Sequence, residues 1–375
     1  MKKALFVVGA MVLVEGCISM TNYALESIYR GAQVRQLFFS PDGRTVYGSG
    51  IIYLNSQQKN SCIWAWETKT GHLRWKTQIR GAGYPSMLSP DGASLLATDR
   101  KRGPTLWDTA TGGLRCTLKM DPKQGRPANT YFTPDSKRLV GCFEKGFQVW
   151  DARTRARKAF WKVPGDKTGL PQNLKFSSDG KKVLVAATGW NSDGENEPSD
   201  SELVQLWDAR DGHLLQDFST DYFSFICDLS PSGDRVVVAK YWLNQRTYSS
   251  DSVGSIYWLV LHDANGGSLH LQSPELPLYF DLESLEFRPD GNILCKGSYV
   301  KAGVRSHPQA FVWNIHKNRF VEQPASDTEE EVLSPDKRLR AVANRGGYQN
   351  RPPLGTLYNA TTGEKLCDLE GLAGR

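Results

Sequence analysis

The sequence predicts an all-β protein built from seven consecutive four-stranded antiparallel units, and three observations carry that prediction. A turn string recurs seven times at near-regular spacing, a second string closing on a Trp-Asp or related pair recurs between those turns, and the composition is rich in aromatic residues. The last of these, 11 Trp, 14 Tyr and 15 Phe among 375 residues, favours strands. With 39% hydrophobic and 23% charged residues, global disorder is excluded. The formal net charge of +6 is modest and argues against a nucleic-acid partner, which asks for a concentrated basic stripe.

In chain order, the first element is an address rather than structure. Lys2 and Lys3 precede an apolar run from Ala4 to Val14, far short of the about 20 residues a bilayer-spanning helix takes. Two cations and a short apolar run read as an export signal over residues 1–16. The run ends in Val14-Glu15-Gly16-Cys17, which resembles a bacterial lipobox, although Glu15 stands where a small or apolar residue is usual. The resemblance implies lipidation at Cys17, with palmitate among the acyl chains, and attachment to the bacterial cell envelope. Ile18 rather than Asp follows, which by the same resemblance favours the outer membrane. Residues 17–22 then form a short tether. The other six cysteines, Cys62, Cys116, Cys142, Cys227, Cys295 and Cys367, show no Cys-x-x-Cys spacing. Several sit within apolar strand-like runs, so we expect buried thiols rather than disulfides.

The repeat fills the rest. Phe39-Ser40-Pro41-Asp42-Gly43 returns with variations at Leu88–Gly92, Phe132–Ser136, Phe176–Gly180, Leu229–Gly233, Phe287–Gly291 and Leu333–Lys337. The Pro position recurs at intervals of 49, 44, 44, 53, 58 and 46 residues. Its chemistry is that of a strand ending in a tight turn. Phe or Leu closes the strand, Pro sets φ, Asp bonds back to the backbone, and Gly accepts a positive φ. An apolar second strand follows, as in Thr45-Val46-Tyr47 and Arg235-Val236-Val237-Val238. The third strand ends in the second string: Trp66-Glu67, Trp107-Asp108, Trp150-Asp151, Trp207-Asp208, His262-Asp263, Trp313-Asn314 and Tyr358-Asn359. A turn such as Thr70-Gly71, Thr111-Gly112 or Thr362-Gly363 then leads to a short fourth strand.

Four antiparallel strands per unit, with a Trp-Asp pair closing the third, resemble the WD-repeat β-propeller, and with the lipobox the chain resembles a bacterial WD-repeat β-propeller lipoprotein. The resemblance spans Tyr23 to Gly371. It implies one seven-bladed propeller domain over residues 23–375, closed as a monomeric ring. The chain departs from the family in lacking Gly-His before the first strand of each unit, and His262 and Tyr358 replace Trp. The Asp–His–Ser–Trp network of the family is therefore expected to be absent or partial. Two segments read as the closing outer strand, Tyr23–Gly31 and Glu364–Leu369. We expect the first to interlock with the last blade and the second to pair at its edge.

A unit of this kind needs about 40–45 residues. The surplus lies between second and third strands and between units, which in a propeller open on one face. One face is therefore smooth and the other built up. Loops on a rigid scaffold concentrate binding residues, and Trp, Tyr and Arg anchor interfaces. The candidate partner-binding residues are Trp190, Tyr241, Trp242, Arg246, Tyr348 and Arg351. A further loop stretch, Tyr299–His307, is expected on the same face. Asp193 to Glu202 carries alternating carboxylates, but its Gly194 and Pro198 do not match a Ca²⁺ loop of the EF-hand pattern, so it reads as an acidic loop.

No nucleophile elbow, zinc-protease motif, P-loop or dinucleotide fingerprint is present. The six His are scattered; His72 and His213 read as turn residues. No catalytic residue, metal site or cofactor is expected. The sequence points to a non-catalytic interaction scaffold, tethered to the envelope and holding a protein or peptide. The alternative is a propeller enzyme or sensor with a channel-mouth site for a sugar, peptide or cation.

Overall fold

A computed structural model describes residues 32–370 apart from 54–58, 80–84, 100–102, 122–126, 128, 144, 164–168, 190–202, 219–225, 244–254, 267–269, 302–303, 324–330 and 344–352. Among the described residues there is no helix, and 28 strands form seven four-stranded antiparallel sheets, each in chain order. Blade 1 holds β1 (Ala32–Phe39), β2 (Thr45–Tyr53), β3 (Lys59–Glu67) and β4 (Leu73–Ile79). Blade 2 holds β5 (Pro85–Leu88), β6 (Ser94–Asp99), β7 (Gly103–Asp108) and β8 (Leu114–Thr117). Blade 3 is β9 (Thr130–Phe132), β10 (Arg138–Phe143), β11 (Gly146–Asp151) and β12 (Arg157–Lys162); blade 4 is β13 (Gly169–Phe176), β14 (Lys182–Gly189), β15 (Leu203–Asp208) and β16 (Leu214–Asp217). Blade 5 comprises β17 (Cys227–Leu229), β18 (Arg235–Leu243), β19 (Ser255–Asp263) and β20 (His270–Gln272). Blade 6 comprises β21 (Phe280–Phe287), β22 (Ile293–Lys301), β23 (Val304–Asn314) and β24 (Arg319–Gln323). Blade 7 is β25 (Glu331–Leu333), β26 (Leu339–Ala343), β27 (Gly355–Asn359) and β28 (Lys365–Leu369).

The recurring turn string joins the first strand to the second in every blade. In blade 1 the Ser40 hydroxyl donates to Asp42 Oδ1 at 2.6 Å and accepts the Thr45 N–H at 2.9 Å, while Asp42 Oδ1 also accepts the Arg44 N–H at 3.0 Å. The same relay is built on Ser89/Asp91, Thr133/Asp135, Ser177/Asp179 and Ser334/Asp336. The sequence reading gave the turn to Pro, Asp and Gly; the residue before Pro completes it. Where blade 6 has Arg288 at that position, the Asn292 N–H to Asp290 bond remains. The Gly position takes a positive φ even where the residue is Ser136 (59°) or Lys337 (58°).

The Trp-Asp pairs divide their work. The Asp caps the turn to the fourth strand: Asp108 Oδ1 accepts the Ala110 and Thr111 N–H groups, and Asp151 Oδ1 those of Arg153 and Thr154. Asn359 does the same for Thr361 and Thr362. The Trp fills the space between sheets. Trp66, Trp150, Trp207 and Trp313 are essentially buried, and the indole of Trp150 donates to the Lys119 carbonyl at 3.0 Å. His262 takes the Trp place in blade 5, buried, its ring 5.0 Å from that of Phe218.

The chain divides into two compact units. The first, Met1–Thr117 with Glu329–Arg375, contains blades 1, 2 and 7. Its cores lie between sheets: Val34, Trp64, Trp66, Leu357 and Leu369 join blades 1 and 7, and Tyr47, Ile63, Leu95 and Trp107 join blades 1 and 2. Here β28, from the C-terminal segment, is the fourth strand of blade 7 and pairs directly with β27. Glu370 follows it and latches onto the turn of blade 1. Its carbonyl accepts the Trp66 indole N–H at 3.0 Å, its N–H donates to the Gly71 carbonyl, and its carboxylate takes the Leu73 N–H and His72 Nδ1. The expected interlocking segment Tyr23–Gly31 lies outside the described residues, as do Cys17 and the signal segment.

The second unit, Leu118–Thr328, holds blades 3 to 6, with cores between blades 3 and 4, 4 and 5, and 5 and 6. Buried Asp228 on β17 ties three first strands together. It accepts the Phe287 N–H of β21 at 2.8 Å and pairs with Lys175 of β13 at 3.0 Å. Lys182 reaches from blade 4 to the carbonyls of Gly233 and Ala264 in blade 5. Cys142, Cys227 and Cys295 in this unit, like Cys62 and Cys116 in the first, are buried free thiols; Cys367 is half-buried. Burial pushes the Cys62 and Cys227 thiols up to about 12.

Candidate functional surface

The second and third strands do not run to equal length in all blades, and the differences shape the surface. In blade 3 their pairing stops at Phe143 opposite Gly146. In blade 1 it continues to Tyr53 opposite Lys59, in blade 5 to Leu243 opposite Ser255, and in blade 6 to Lys301 opposite Val304. Second strands of nine residues in blades 1, 5 and 6 against six in blade 3 extend these hairpins by roughly 10 Å, at about 3.3 Å per residue. Stretches expected as loops are thus paired ribbons. Tyr241 and Trp242 stand in β18, opposite Tyr257 and Ile256. Tyr299 belongs to β22, and Val304–His307 to β23. Of the remaining sequence-derived candidates, Trp190, Arg246, Tyr348 and Arg351 lie outside the described residues, as does the acidic loop Asp193–Glu202.

At the base of the blade 5 and 6 ribbons the structure joins Tyr299 and Ser306, from the stretch already singled out, to residues that the sequence reading did not single out. Tyr257, buried, donates from its hydroxyl to Asp281 Oδ1 at 3.3 Å. Ser298 donates to Glu283 at 3.0 Å, and the Tyr299 N–H to the Ser306 hydroxyl at 3.1 Å. Phe280 packs edge-on against both Tyr299 and Phe311, with ring centres 5.7 and 5.0 Å away. Lys240 pairs across the ribbon with half-buried Trp258, and burial holds its ammonium below the usual lysine range. The sequence signal for this group is weak: the apolar run Ile256–Leu261 is no longer than the six-residue third strands of blades 2, 3 and 4. Tyr257, Phe280 and Phe311 are buried in the core shared by blades 5 and 6, with Tyr299 packed against them, so the group fixes the base of the two ribbons from within.

The opposite end of the blades carries the grouping nearest to a metal-ligand set among the described residues, Asp208, Asp211 and His213 in the turn after β15. Arg210 clamps Asp208, donating from Nε at 3.0 Å and again from its terminal nitrogen, and His213 Nδ1 lies 2.7 Å from Asp211. Both His213 and Asp211 are exposed. The carboxylates are therefore engaged within the turn itself, which accords with the reading of His213 as a turn residue.

Seven four-stranded blades define a WD-repeat-like β-propeller, and solved structures bear this out. The chain is similar to a chain of hydrazine synthase from Kuenenia stuttgartiensis, with a TM-score of 0.57 and 14% identity over 88% of this chain and 96% of that one. It is likewise similar to the β-propeller domain of Cps50 (Swd1) from Myceliophteria thermophila, with a TM-score of 0.54 and 12% identity over 85% and 95%. At such identities the likeness concerns the fold alone. No protein-family model matches the chain. Curated relatives include the target of rapamycin complex 1 subunit mip1 of Schizosaccharomyces pombe, 32% identical over 134 residues, which are 34% of this chain and 9% of that protein. They also include ribosome biogenesis protein YTM1 of Laccaria bicolor, 25% identical over 178 residues, 45% of this chain and 35% of that protein. Protein ANTHESIS POMOTING FACTOR 1 of Arabidopsis thaliana is 26% identical over 102 residues, 27% of this chain and 30% of that protein. The chain thus spans about a tenth to a third of the length of the curated relatives it matches.

Proposed function

We propose that the chain is a non-catalytic interaction scaffold of the bacterial cell envelope, tethered through a lipid on Cys17, that holds a protein or peptide partner against its ribbon-bearing face. The observation that carries the reading is the pair of extended hairpins in blades 5 and 6, which hold Tyr241, Trp242 and Tyr299 on fixed backbone above the Tyr257/Asp281 group. Aromatic residues on rigid elements supply contact area at low entropic cost, and truncating a true anchor costs more than about 1 kcal/mol of binding. The propeller architecture supports the reading, as does a relative whose name describes a subunit of a larger assembly. The lipid anchor rests on the lipobox resemblance at Val14–Cys17.

Crosslinking in intact envelopes, followed by identification of the captured protein, tests this. Trp242→Ala with Arg246→Ala is expected to weaken capture while leaving melting nearly unchanged. Lys69→Ala with Lys317→Ala, exposed turn residues at the other end of the blades, is expected to leave capture intact. The reverse result would place the working surface on the wrong face. Cys17→Ala is expected to abolish membrane fractionation; labelled palmitate entering the variant as it enters the parent would refute the anchor.

A further inference from the structure

The modest net charge is unevenly placed. Residues 130–162, which hold blade 3, contain eight Lys and Arg against three carboxylates, so this blade carries +5 of the chain's +6. The cations gather on its outer side. Arg153 and Arg155 occupy the turn before β12, and Arg157, Lys158 and Lys162 lie on β12; all five are exposed, and no carboxylate occurs from 152 to 162. Arg157 pairs with Asp121 at 2.9 Å and Lys158 sits 3.7 Å from Asp151. Among the described residues no ion pair engages Arg153, Arg155 or Lys162. Among the described residues the strand has an open side: β12 bonds β11 on one side and is the outer edge of its sheet.

Lysines on an edge strand are an ordinary guard against unwanted pairing. That guard does not require five cations. The corresponding turn and outer strand hold at most three in any other blade, Lys69, Arg74 and Lys76 in blade 1, and in blade 4 hold Arg210 against Asp211 and Asp217. The row also has a shape. It follows the turn and the six residues of β12, roughly 20 Å at about 3.3 Å per residue. A line of charge along an open strand edge matches an extended chain better than a flat anionic sheet, which would be met by a disc of cations.

We propose that the outer edge of blade 3 is a second docking site, which takes an extended acidic segment of a partner protein as a fifth strand on β12. The free main-chain groups of the edge bond the segment's backbone, and the cation row meets its carboxylates; strand addition of this kind draws affinity from the backbone and selectivity from the side chains. The proposal rests on the scaffold reading only in taking a protein as the partner.

The test is fluorescence anisotropy on the full chain with a dye-labelled peptide of alternating Glu and Thr. A second peptide with every Thr replaced by Pro keeps the charge and removes the backbone donors. The third arm is the variant Arg153→Gln, Arg155→Gln, Lys162→Gln, with its thermal melt as the folding control. The Thr peptide is expected to bind saturably and to weaken with added salt. The Pro peptide, and the Thr peptide on the triple variant, are expected to bind at least about tenfold more weakly, which is about 1.4 kcal/mol. Equal binding of the two peptides, no saturable binding, or no effect of the triple variant overturns the proposal. So does tighter binding of anionic phospholipid vesicles or single-stranded DNA to the same residues. If the triple variant melts differently, the two-peptide comparison on the parent protein decides. Ribbon-face capture is scored separately in the same variant, so failure of the edge site and failure of the scaffold reading give different results.

Discussion

A Cβ added at Gly141 would lie 2.6 Å from Cζ3 and 2.8 Å from Cη2 of Trp150. Gly141 sits mid-strand in β10 with no positive φ, so the cost of Gly141→Ala is steric. Nor can the indole move aside: it is buried, its N–H is held by the Lys119 carbonyl, and Phe143 packs against its ring. Forcing a methyl into such a contact costs about 1–3 kcal/mol, partly offset by about 0.4–1 kcal/mol from a less free unfolded chain. Trp150→Phe alone removes the outer end of the indole, Cζ3 and Cη2 included, and leaves the Lys119 carbonyl without its indole donor, for about 2–4 kcal/mol. In the double variant the atoms that clashed are gone, and the new methyl occupies part of the vacated space. The double variant should therefore be more stable than the sum of the singles by about 1–2 kcal/mol, a coupling expected only between touching groups. Urea denaturation of the four proteins, followed by circular dichroism, measures it through the midpoints at constant slope. Additive effects, or a silent Gly141→Ala, would refute the packing argument. Gly48 under Trp66 in blade 1 has the same geometry, at 2.6 and 2.7 Å, and offers an independent repeat.

Lys337→Gly and Ser136→Gly should each raise stability by about 0.5–1 kcal/mol, because both residues hold a left-handed φ that glycine adopts freely; a fall in the melting midpoint would contradict this. The Lys181 N–H and the Ser177 hydroxyl hold the Asp179 carboxyl down to about 2, from an ordinary 3.8. Its folded pKa is depressed, so its contribution to stability is present above about pH 4 and fades as the pH falls towards 2. Ser177→Ala should move the Asp179 titration, followed by NMR, back towards 3.8, and an unmoved titration would show that the hydroxyl does not matter. A thiol reagent applied to the native protein should label Cys367 ahead of Cys62, Cys116, Cys142, Cys227 and Cys295, with those five reacting fully only after denaturation; rapid early labelling of Cys142 would contradict its complete burial.

The seven turns were legible because their chemistry is local: Ser, Pro, Asp and Gly within five residues specify the geometry, and the following strand starts at a fixed offset. The Trp-Asp strings were legible for the same reason, with the Asp capping the next turn. The ribbons were not. The register of Tyr241 with Tyr257 is set by pairing across the top of a hairpin, and no turn signature marks where β18 ends and β19 begins. Alternation alone cannot tell a strand continuing outward from an aromatic loop. The closing strand was ambiguous because Tyr23–Gly31 and Glu364–Leu369 share one pattern. The place of β28 is fixed by contacts distant in sequence, Leu369 in the core with Trp66 and Glu370 on the turn of blade 1. The outer edge of blade 3 escaped notice because a whole-chain charge hides its distribution.

The latch at Glu370 has a consequence for how the molecule is made. Trp66 and the Glu370 carbonyl that receives its indole are 304 residues apart. At roughly 5–20 residues per second of synthesis, about 15–60 s separate the appearance of the two. Through that interval the apolar side of the first blade around Val34, Trp64 and Trp66 has no Leu357 or Leu369 to cover it. The first blade made is thus among the last completed, and the nascent chain carries a sticky apolar surface throughout its elongation. Until blade 7 is made, that surface is open to contact with other chains. Circular permutation, with blade 7 placed ahead of blade 1, would shorten that interval while keeping the Trp66–Glu370 pairing in the sequence.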